Sequence, residues 1–264
     1  MDKKLAQFER LLNIMDDLRA ECPWDKKQTL DSLRHLTIEE TYELCDAILE
    51  NDMDELKGEI GDLMLHLVFY SKIASEQKAF DIADVLEFVC EKLIRRHPHI
   101  YGDTKAETEE AVKANWEKIK LQEKGKGGLD KTVLQGVPKS LPALVKAIRI
   151  QDKVKGIGFD WDDKSQAWAK VQEEIKEFQI EEKNQDLKKM EEEFGDVLFS
   201  LVKYASFVGI NPEDALERTN KKFLKRFTEM ELAIRSKGLD MKTMSLNEME
   251  KFWESAKLNQ LNKD

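Results

Sequence analysis

The chain contains little proline, little cysteine and no long apolar run. Only five of its 264 residues are proline, while 36% are charged, and this balance favours long charged helices over a strand-and-turn architecture. Its three cysteines, Cys22, Cys45 and Cys90, lie far apart and lack C-x-x-C spacing, so we expect buried, reduced thiols. No segment approaches the roughly 18 apolar residues of a membrane helix, and the opening MDKKLAQFER lacks the apolar core of a signal peptide. We therefore predict a cytoplasmic protein with no membrane partner.

The chain also lacks an excess of basic residues. It has 43 Lys and Arg against 53 Asp and Glu, which gives a formal net charge of −10. A general nucleic-acid-binding protein needs a basic face to neutralise phosphates, so we expect no nucleic-acid partner. An acidic chain that handles phosphate would need metal ions to offset the repulsion.

Acidic residues interrupt an apolar helical stripe in the segment TIEETYE, residues 37–43. At 3.6 residues per turn, one stripe of the helix contains Leu33, Leu36, Glu40, Glu43 and Ala47. Two carboxylates therefore continue an apolar line instead of pointing away from it. This pattern is typical of a functional site.

The same acidic pattern occurs twice, 134 residues apart. Glu39, Glu40 and Glu43 correspond to Glu173, Glu174 and Glu177, and Glu59 and Asp62 correspond to Glu193 and Asp196. Looser matches, such as PWDKK from Pro23 and DWDDK from Asp160, extend the correspondence over most of the chain. The sequence therefore contains a tandem duplication.

A shift in composition marks the boundary between the two copies. Residues 123–142 hold four of the twelve glycines and two of the five prolines, which is typical of a linker. We predict domains over residues 1–122 and 143–264. No segment alternates like a strand, so the predicted fold class is all-α, with two tandem helical-bundle domains.

Two acid-bearing helices in each copy can point four carboxylates at one another if they pack antiparallel. Unpaired carboxylates in apolar surroundings are costly or take up protons, and bound cations would resolve this conflict. Oxygen-only ligands favour Mg²⁺ or Mn²⁺. Two alternatives stay open: a solvated helix face, which the repetition argues against, and a di-iron bundle, which needs Glu-x-x-His motifs. His66, four residues after Asp62, has Ser200 as its counterpart and is expected in the core or in contact with the metal ligands.

Cations and tryptophans near the end of each copy could complete a phosphate site. Lys222 and Arg226 share a helix face at i and i+4, as do Lys92 and Arg96 in the first copy, and such residues can bind phosphate oxygens. Trp116 and Trp253 could stack on a base or fill the core. A solvated charged face is the alternative interpretation of the cations.

The paired acidic motif resembles that of the MazG family of nucleoside triphosphate pyrophosphohydrolases, in the all-α pyrophosphatase superfamily. The pattern E-E-x-x-E, followed after 15 residues by E-x-x-D, occurs twice, and the PWD, RRHPH and GFDW segments are also similar. Dimeric dUTPases and phosphoribosyl-ATP pyrophosphohydrolases share comparable carboxylate helices, but the two-copy layout resembles MazG. The resemblance covers nearly the whole chain.

The resemblance implies Mg²⁺-dependent hydrolysis of NTPs and dNTPs to the monophosphate and pyrophosphate by a homodimer that cleans the nucleotide pool. It assigns the metal to Glu174, Glu177, Glu193 and Asp196, and in the first copy to Glu40, Glu43, Glu59 and Asp62. It assigns the nucleotide to Lys170, Lys189, Glu192, Asp196, Lys222, Arg226 and Trp253. Glu173, Glu174 and Glu177 would be the catalytic carboxylates, with Glu173 or Glu174 orienting or deprotonating the attacking water.

The two copies differ in charge around their acids. The positions 134 before Lys170, Lys189 and Glu192 are Leu36, Glu55 and Gly58, so the first copy has lost two cations. Because a triphosphate is strongly anionic, we expect the second copy to carry most of the activity. A competing hypothesis is a non-catalytic helical dimer that senses nucleotide or metal, or that serves as a scaffold.

Overall fold

A computed structural model of the chain describes residues 2–104, 108, 111–112, 115–116, 119 and 132–261. These residues form helices and turns and contain no strand, which confirms the all-α prediction. The chain divides into two compact units, Met1–Lys120 and Leu121–Asp264. Residues 123–131 of the predicted linker lie outside the described part of the chain, so the domain limits 1–122 and 143–264 stay a prediction. No helix among the described residues is long and apolar enough to cross a membrane.

The first unit is a series of helices capped by short polar side chains. Its elements are α1 (Lys3–Glu21), a 3₁₀ turn (Asp25–Lys27), α2 (Leu30–Glu50), α3 (Met53–Glu76), α4 (Ile82–Arg96) and the short α5 (Pro98–Tyr101). Thr29 and Ser32 form a capping box at the start of α2, and Asp81 accepts hydrogen bonds from the backbone at the start of α4.

The second unit repeats this arrangement. Its elements are a 3₁₀ turn (Val133–Gly136), α6 (Ala143–Lys155), α7 (Lys164–Asn184), α8 (Leu187–Phe207), α9 (Pro212–Ser236), a 3₁₀ turn (Met241–Thr243) and α10 (Leu246–Leu261). Pro212 occupies the first turn of α9, where its missing N–H leaves no helical hydrogen bond unmade.

The two acid-bearing hairpins match down to their turns. Helices α2 and α7 begin and end 134 residues apart, and each ends in a left-handed residue, Asn51 or Gln185, both with φ of 57°. Asp52 and Asp186 then cap the next helix. A two-residue connection between long helices that pack extensively makes each pair, α2 with α3 and α7 with α8, antiparallel.

The hydrophobic core of the first unit joins α1, α2 and α3. Its buried residues are Met15, Leu33, Val68, Phe69 and Ile73, with Leu36 and Leu65 among the side chains packed against them. Arg19 of α1 binds Glu76 at the end of α3, with 2.5 Å between Nη2 and Oε2. In the second unit, Ala167, Val171, Val202, Met230 and Ile234 are buried.

Several amphipathic faces remain exposed in the single chain. Helix α4 buries no residue, and Val85, Leu86, Phe88 and Leu93 are exposed along it. The cysteines are free thiols. Cys22 is only half-buried, and Cys45 and Cys90 are exposed, so the prediction of buried thiols is wrong for the last two. The physical reason is that each lies on an outward helix face that no other element of the described chain covers.

Candidate metal and nucleotide site

Each hairpin brings three of its predicted metal ligands together. Glu174 and Glu177, one turn apart on α7, meet Glu193 of α8, and one carboxylate oxygen of each lies within 4.8 Å of the others. Glu40, Glu43 and Glu59 meet the same criterion in the first unit. We call these groups the second and the first acidic cluster. Helical spacing places the acids of one helix side by side, and the antiparallel turn brings the third acid opposite them.

The fourth predicted acid of each copy lies beside its cluster. Asp62 is exposed, but its charge contributes to raising the pKa of Glu40, so it is close to the first cluster. Asp196 is also exposed and lines one cavity together with Glu174. Both aspartates are therefore adjacent to the three-carboxylate groups without belonging to them.

Ionisation of the carboxylates in the first acidic cluster is unfavourable. Burial raises the pKa of Glu59, and the neighbouring Glu43 and Glu40 raise it further. Burial is also the main cause that raises the pKa of Glu40, and the negative charge of Asp62 is the second cause. Glu59 is 7% exposed, and its Oε2 has no hydrogen-bond partner within the described structure. An orphaned carboxylate oxygen among other acids fits a site for a cation.

A lysine side chain lies beside the second acidic cluster and binds one of its carboxylates. Lys170 Nζ lies 2.8 Å from Oε1 of Glu173 and 2.8 Å from Oε1 of Glu174, and its hydrogen bond to Glu173 is the main reason why the pKa of Lys170 is raised. Burial, followed by the hydrogen bond with Glu174, raises the pKa of Glu177. The position equivalent to Lys170 in the first copy is Leu36, which packs against the core.

The other predicted nucleotide residues are spread over the unit. Lys189 lies 3.9 Å from Glu181, and Glu192 is exposed, 4.0 Å from Lys188. Lys222, Arg226 and Trp253 belong to α9 and α10, which pack mainly against each other and only slightly against α6. The ring of Trp253 lies 5.1 Å from that of Phe223. Lys170 thus lies at the acids, and Lys222, Arg226 and Trp253 belong to a separate helix pair.

His66 takes a place in the core of the first unit, as predicted. Its Nδ1 lies 3.2 Å from Thr37 Oγ1, which in turn lies 2.6 Å from the Tyr70 hydroxyl. Burial lowers the pKa of His66, which favours the neutral ring. Thr37 thus occupies Nδ1, and the charge of Asp62 acts in the opposite direction on the pKa of His66, so the ring is a core residue that lies near a predicted metal ligand.

A cavity of about 470 Å³ adjoins the second acidic cluster, and the sequence alone did not predict it. Its wall includes the charged residues Lys170, Glu174 and Asp196 and the aromatic residues Phe159, Trp161 and Phe199. Lys203 and Asp160 form a buried ion pair in the wall, with 2.5 Å between Nζ and Oδ1. The available signals were polar residues on apolar helix faces: Gln151 among the inward residues of α6, and Lys203 on α8.

Comparison with known proteins places both hairpins in one family. A family model described as the MazG nucleotide pyrophosphohydrolase domain matches residues 28–101 and 164–230. The first range contains α2 and α3, and the second contains α7 and α8. A nucleoside triphosphate pyrophosphohydrolase of Escherichia coli strain K12 is 41% identical over 262 residues, covering 97% of this chain and 99% of that one. The nucleoside triphosphate pyrophosphohydrolase/pyrophosphatase MazG of Thermotoga maritima is 42% identical over 252 residues, 95% of each chain. The uncharacterized protein YabN of Bacillus subtilis strain 168 is 44% identical over 254 residues, covering 95% of this chain and 52% of YabN.

Proposed function

The chain belongs to the MazG nucleotide pyrophosphohydrolase family, and from this we infer that it is a hydrolase that cleaves nucleoside triphosphates to the monophosphate and pyrophosphate. The observation that carries the proposal is the second acidic cluster, with three carboxylates within 4.8 Å of one another beside a cavity. NTPs and dNTPs are the proposed substrates, and removal of unwanted nucleotides from the cytoplasmic pool is the proposed role.

We propose that Glu174, Glu177, Glu193 and Asp196 hold Mg²⁺. The donors of this residue set are all carboxylate oxygens, which suit a hard cation such as Mg²⁺ or Mn²⁺. The set contains none of the nitrogen and sulfur donors that other metals prefer. When bound, Mg²⁺ supplies charge neutralisation of the triphosphate and a more acidic water molecule. The raised pKa of Glu177 supports the need for a cation there.

The side chains around the cluster have distinct proposed roles in the reaction. Glu173 is exposed and Glu174 is buried, at 7% exposure, and one of the two orients the attacking water or accepts its proton. Lys170, which bonds both of these carboxylates, is close enough to exchange one of these contacts for a phosphate oxygen. Lys189 and Glu192 extend the proposed nucleotide site along α8.

The second copy is the proposed catalytic copy. The first acidic cluster keeps its carboxylates and fits a cation, but Leu36 replaces Lys170, and Glu55 replaces Lys189. A triphosphate approaching the first cluster therefore meets more negative charge and fewer cations. Metal binding and assembly are the roles that we propose for the first copy.

We propose a homodimer, because apolar side chains stay exposed on both helix pairs of the second unit. Phe194 and Leu198 are exposed on α8, and Phe223 and Leu224 are exposed on α9. Large apolar side chains exposed along two helices are typical of protein interfaces. Pairing two chains would allow Lys222, Arg226 and Trp253 of α9 and α10 to approach an acidic cluster. The family resemblance assigns these three residues to the nucleotide site.

Turnover by the full chain tests the function directly. Purified protein is incubated with Mg²⁺ and each dNTP, and pyrophosphate and orthophosphate are measured separately. We expect pyrophosphate and the monophosphate, and no turnover after complete chelation of divalent metal. A sensor or scaffold would bind nucleotide without releasing either product, and orthophosphate as the first product would refute the proposed cleavage.

Matched substitutions test which copy is catalytic. Glu177→Gln and Glu43→Gln remove equivalent carboxylates from the two clusters. Loss of a metal ligand should lower kcat/KM by at least about 100-fold in Glu177→Gln, and Glu43→Gln should retain most activity. Equal losses in the two variants would mean two working sites, and the reverse order would place catalysis in the first copy.

A further inference from the structure

Lys170 distinguishes the two acidic clusters. Each cluster brings three carboxylates together, with one oxygen of each within 4.8 Å of the others. In the second cluster, Lys170 Nζ lies 2.8 Å from Oε1 of Glu173 and 2.8 Å from Oε1 of Glu174. The first copy has Leu36 at this position, where it packs against the core and supplies no charge. The second copy therefore provides a counterion for its own acids, which Leu36 cannot do in the first.

The contact between Lys170 and Glu174 differs from an ordinary ion pair on a helix surface. Pairs of this spacing usually lie on solvated faces, where water and salt screen the attraction. The side chain of Glu174, however, is only 9% exposed, and that of Lys170 is 36% exposed. The attraction is therefore screened less than on such a face. A metal ion that binds Glu174 must either displace the ammonium or share the carboxylate with it.

The first acidic cluster presents an unpaired oxygen instead. Glu59 is 7% exposed, and its Oε2 has no hydrogen-bond partner in the described part of the chain. Burial raises the pKa of Glu59, and the charges that raise it further belong to Glu43, Glu40, Glu55 and Asp62, which are all acids. A divalent cation can bind this oxygen without breaking an existing hydrogen bond, and it would relieve the repulsion among the acids.

We propose that Lys170 weakens Mg²⁺ loading of the second acidic cluster until a nucleotide is bound, whereas the first acidic cluster loads Mg²⁺ without a nucleotide. When the nucleotide binds, a phosphate oxygen accepts the hydrogen bond that Nζ gave to Glu174, and the carboxylate of Glu174 becomes available to the metal. Metal and nucleotide therefore each raise the affinity of the second cluster for the other. The inference rests on the proposed function for the identity of both ligands.

Calorimetry with Mg²⁺ alone on the full chain tests how each cluster loads. We expect a tighter site at the first cluster and a site at the second cluster that is weaker by about tenfold or more. Repulsion between a monovalent and a divalent cation a few Å apart reaches that factor even at the dielectric constant of water. Glu43→Gln should abolish the tighter site and Glu177→Gln the weaker one, because each removes a carboxylate from one cluster.

Substitutions of Lys170 then assign the weaker loading to its charge. Lys170→Met should raise the Mg²⁺ affinity of the second cluster by about tenfold or more, whereas Lys170→Arg, which keeps the positive charge, should leave the site weak. Lys176→Met makes the same change of charge at an exposed position of α7 and should alter the affinity by less than about twofold. Circular dichroism checks that all variants are folded.

A nucleotide that cannot be cleaved tests the coupling. The affinity for the α,β-methylene analogue of ATP is measured by calorimetry at limiting and at saturating Mg²⁺, in wild type and in Lys170→Met. Mg²⁺ binds the free analogue equally in both samples, so the comparison isolates the effect of Lys170. Because coupling is reciprocal, the gain in affinity on adding Mg²⁺ should be about tenfold larger in wild type than in the variant.

These binding measurements separate the inference from the proposed function. Equal Mg²⁺ affinities of the two clusters in wild type, no Mg²⁺ binding that Glu43→Gln abolishes, or a site that stays weak in folded Lys170→Met would each overturn the inference. If wild type loads Mg²⁺ as expected but hydrolyses no triphosphate, the inference stands and the pyrophosphohydrolase proposal fails. If wild type hydrolyses triphosphates but loads both clusters equally without nucleotide, the function stands and the inference fails.

Discussion

The buried ion pair between Lys203 and Asp160 should stabilise the second unit in an asymmetric way. Nζ lies 2.5 Å from Oδ1, and the two side chains are 8% and 15% exposed. With an effective dielectric constant of about 20, the gross attraction at this distance is about 6.6 kcal/mol. Desolvation of both ions offsets most of it, but removing one partner leaves the other charge buried, which typically costs 3–5 kcal/mol.

The two partners differ in what remains after the other is removed. Asp160 keeps Lys155, whose Nζ lies 3.8 Å from Oδ2, where the gross attraction is about 4.4 kcal/mol before solvent screening. Among the described residues, Lys203 then keeps only weak contacts to the rings of Trp161 and Phe207, at 6.0 and 5.4 Å. We therefore expect Lys203→Met to lower the free energy of unfolding by about 2 kcal/mol and Asp160→Asn by about 4 kcal/mol.

Urea unfolding of the full chain, followed by far-ultraviolet circular dichroism, measures these changes. Lys155→Met is the control, because its side chain is half exposed and should change stability by less than about 1 kcal/mol. The double variant Lys203→Met with Asp160→Asn should cost less than the sum of the single changes by about 2 kcal/mol. Additive costs, or single variants as stable as wild type, would refute the argument.

Three further results are expected. Lys170→Met removes the cation bonded to Glu173 and Glu174. The KM for nucleoside triphosphates should rise about tenfold, and calorimetry should show tighter binding of Mg²⁺ alone. An unchanged KM would exclude Lys170 from the phosphate site. Light scattering at micromolar concentration should give twice the chain mass of 30.7 kDa, and the mass of a single chain would contradict the proposed homodimer. The hydrogen bond from Arg19 lowers the pKa of Glu76 in the folded protein, so the ionised carboxylate stabilises the fold. This contribution to stability is present above the pKa of about 4.3 that a glutamate has in the unfolded chain, and it disappears as the pH falls through the lower pKa of folded Glu76. Urea unfolding should show wild type more stable than Glu76→Gln by at most about 1 kcal/mol near neutral pH, and a difference that persists below about pH 3 would show that the charge is not its cause.

The acidic clusters could be predicted from sequence because their geometry is almost entirely local. Glu174 and Glu177 share a face of α7 through helical spacing, and the connection to α8 is only two residues, Gln185 and Asp186. Once a helix and a short antiparallel turn are given, the third carboxylate has few other positions. The duplication at an offset of 134 supplied an independent second copy of the same pattern, and the two hairpins repeat it down to the left-handed residue in the turn.

Tertiary packing decided the parts of the site that depend on contacts distant in sequence. Gln151 is oriented by the carbonyl of Phe199, 48 residues later, and Lys203 is paired with Asp160, in the connection between α6 and α7. Whether a polar residue on an apolar helix face is a partnered core residue or part of a cavity wall depends on which side chains pack opposite it. At the positions of Lys170, Phe199 and Lys203 in this wall, the first copy has Leu36, Leu65 and Phe69, which lie in or against its core. Side-chain volume and charge at facing positions, not helical periodicity, determine where a cavity forms.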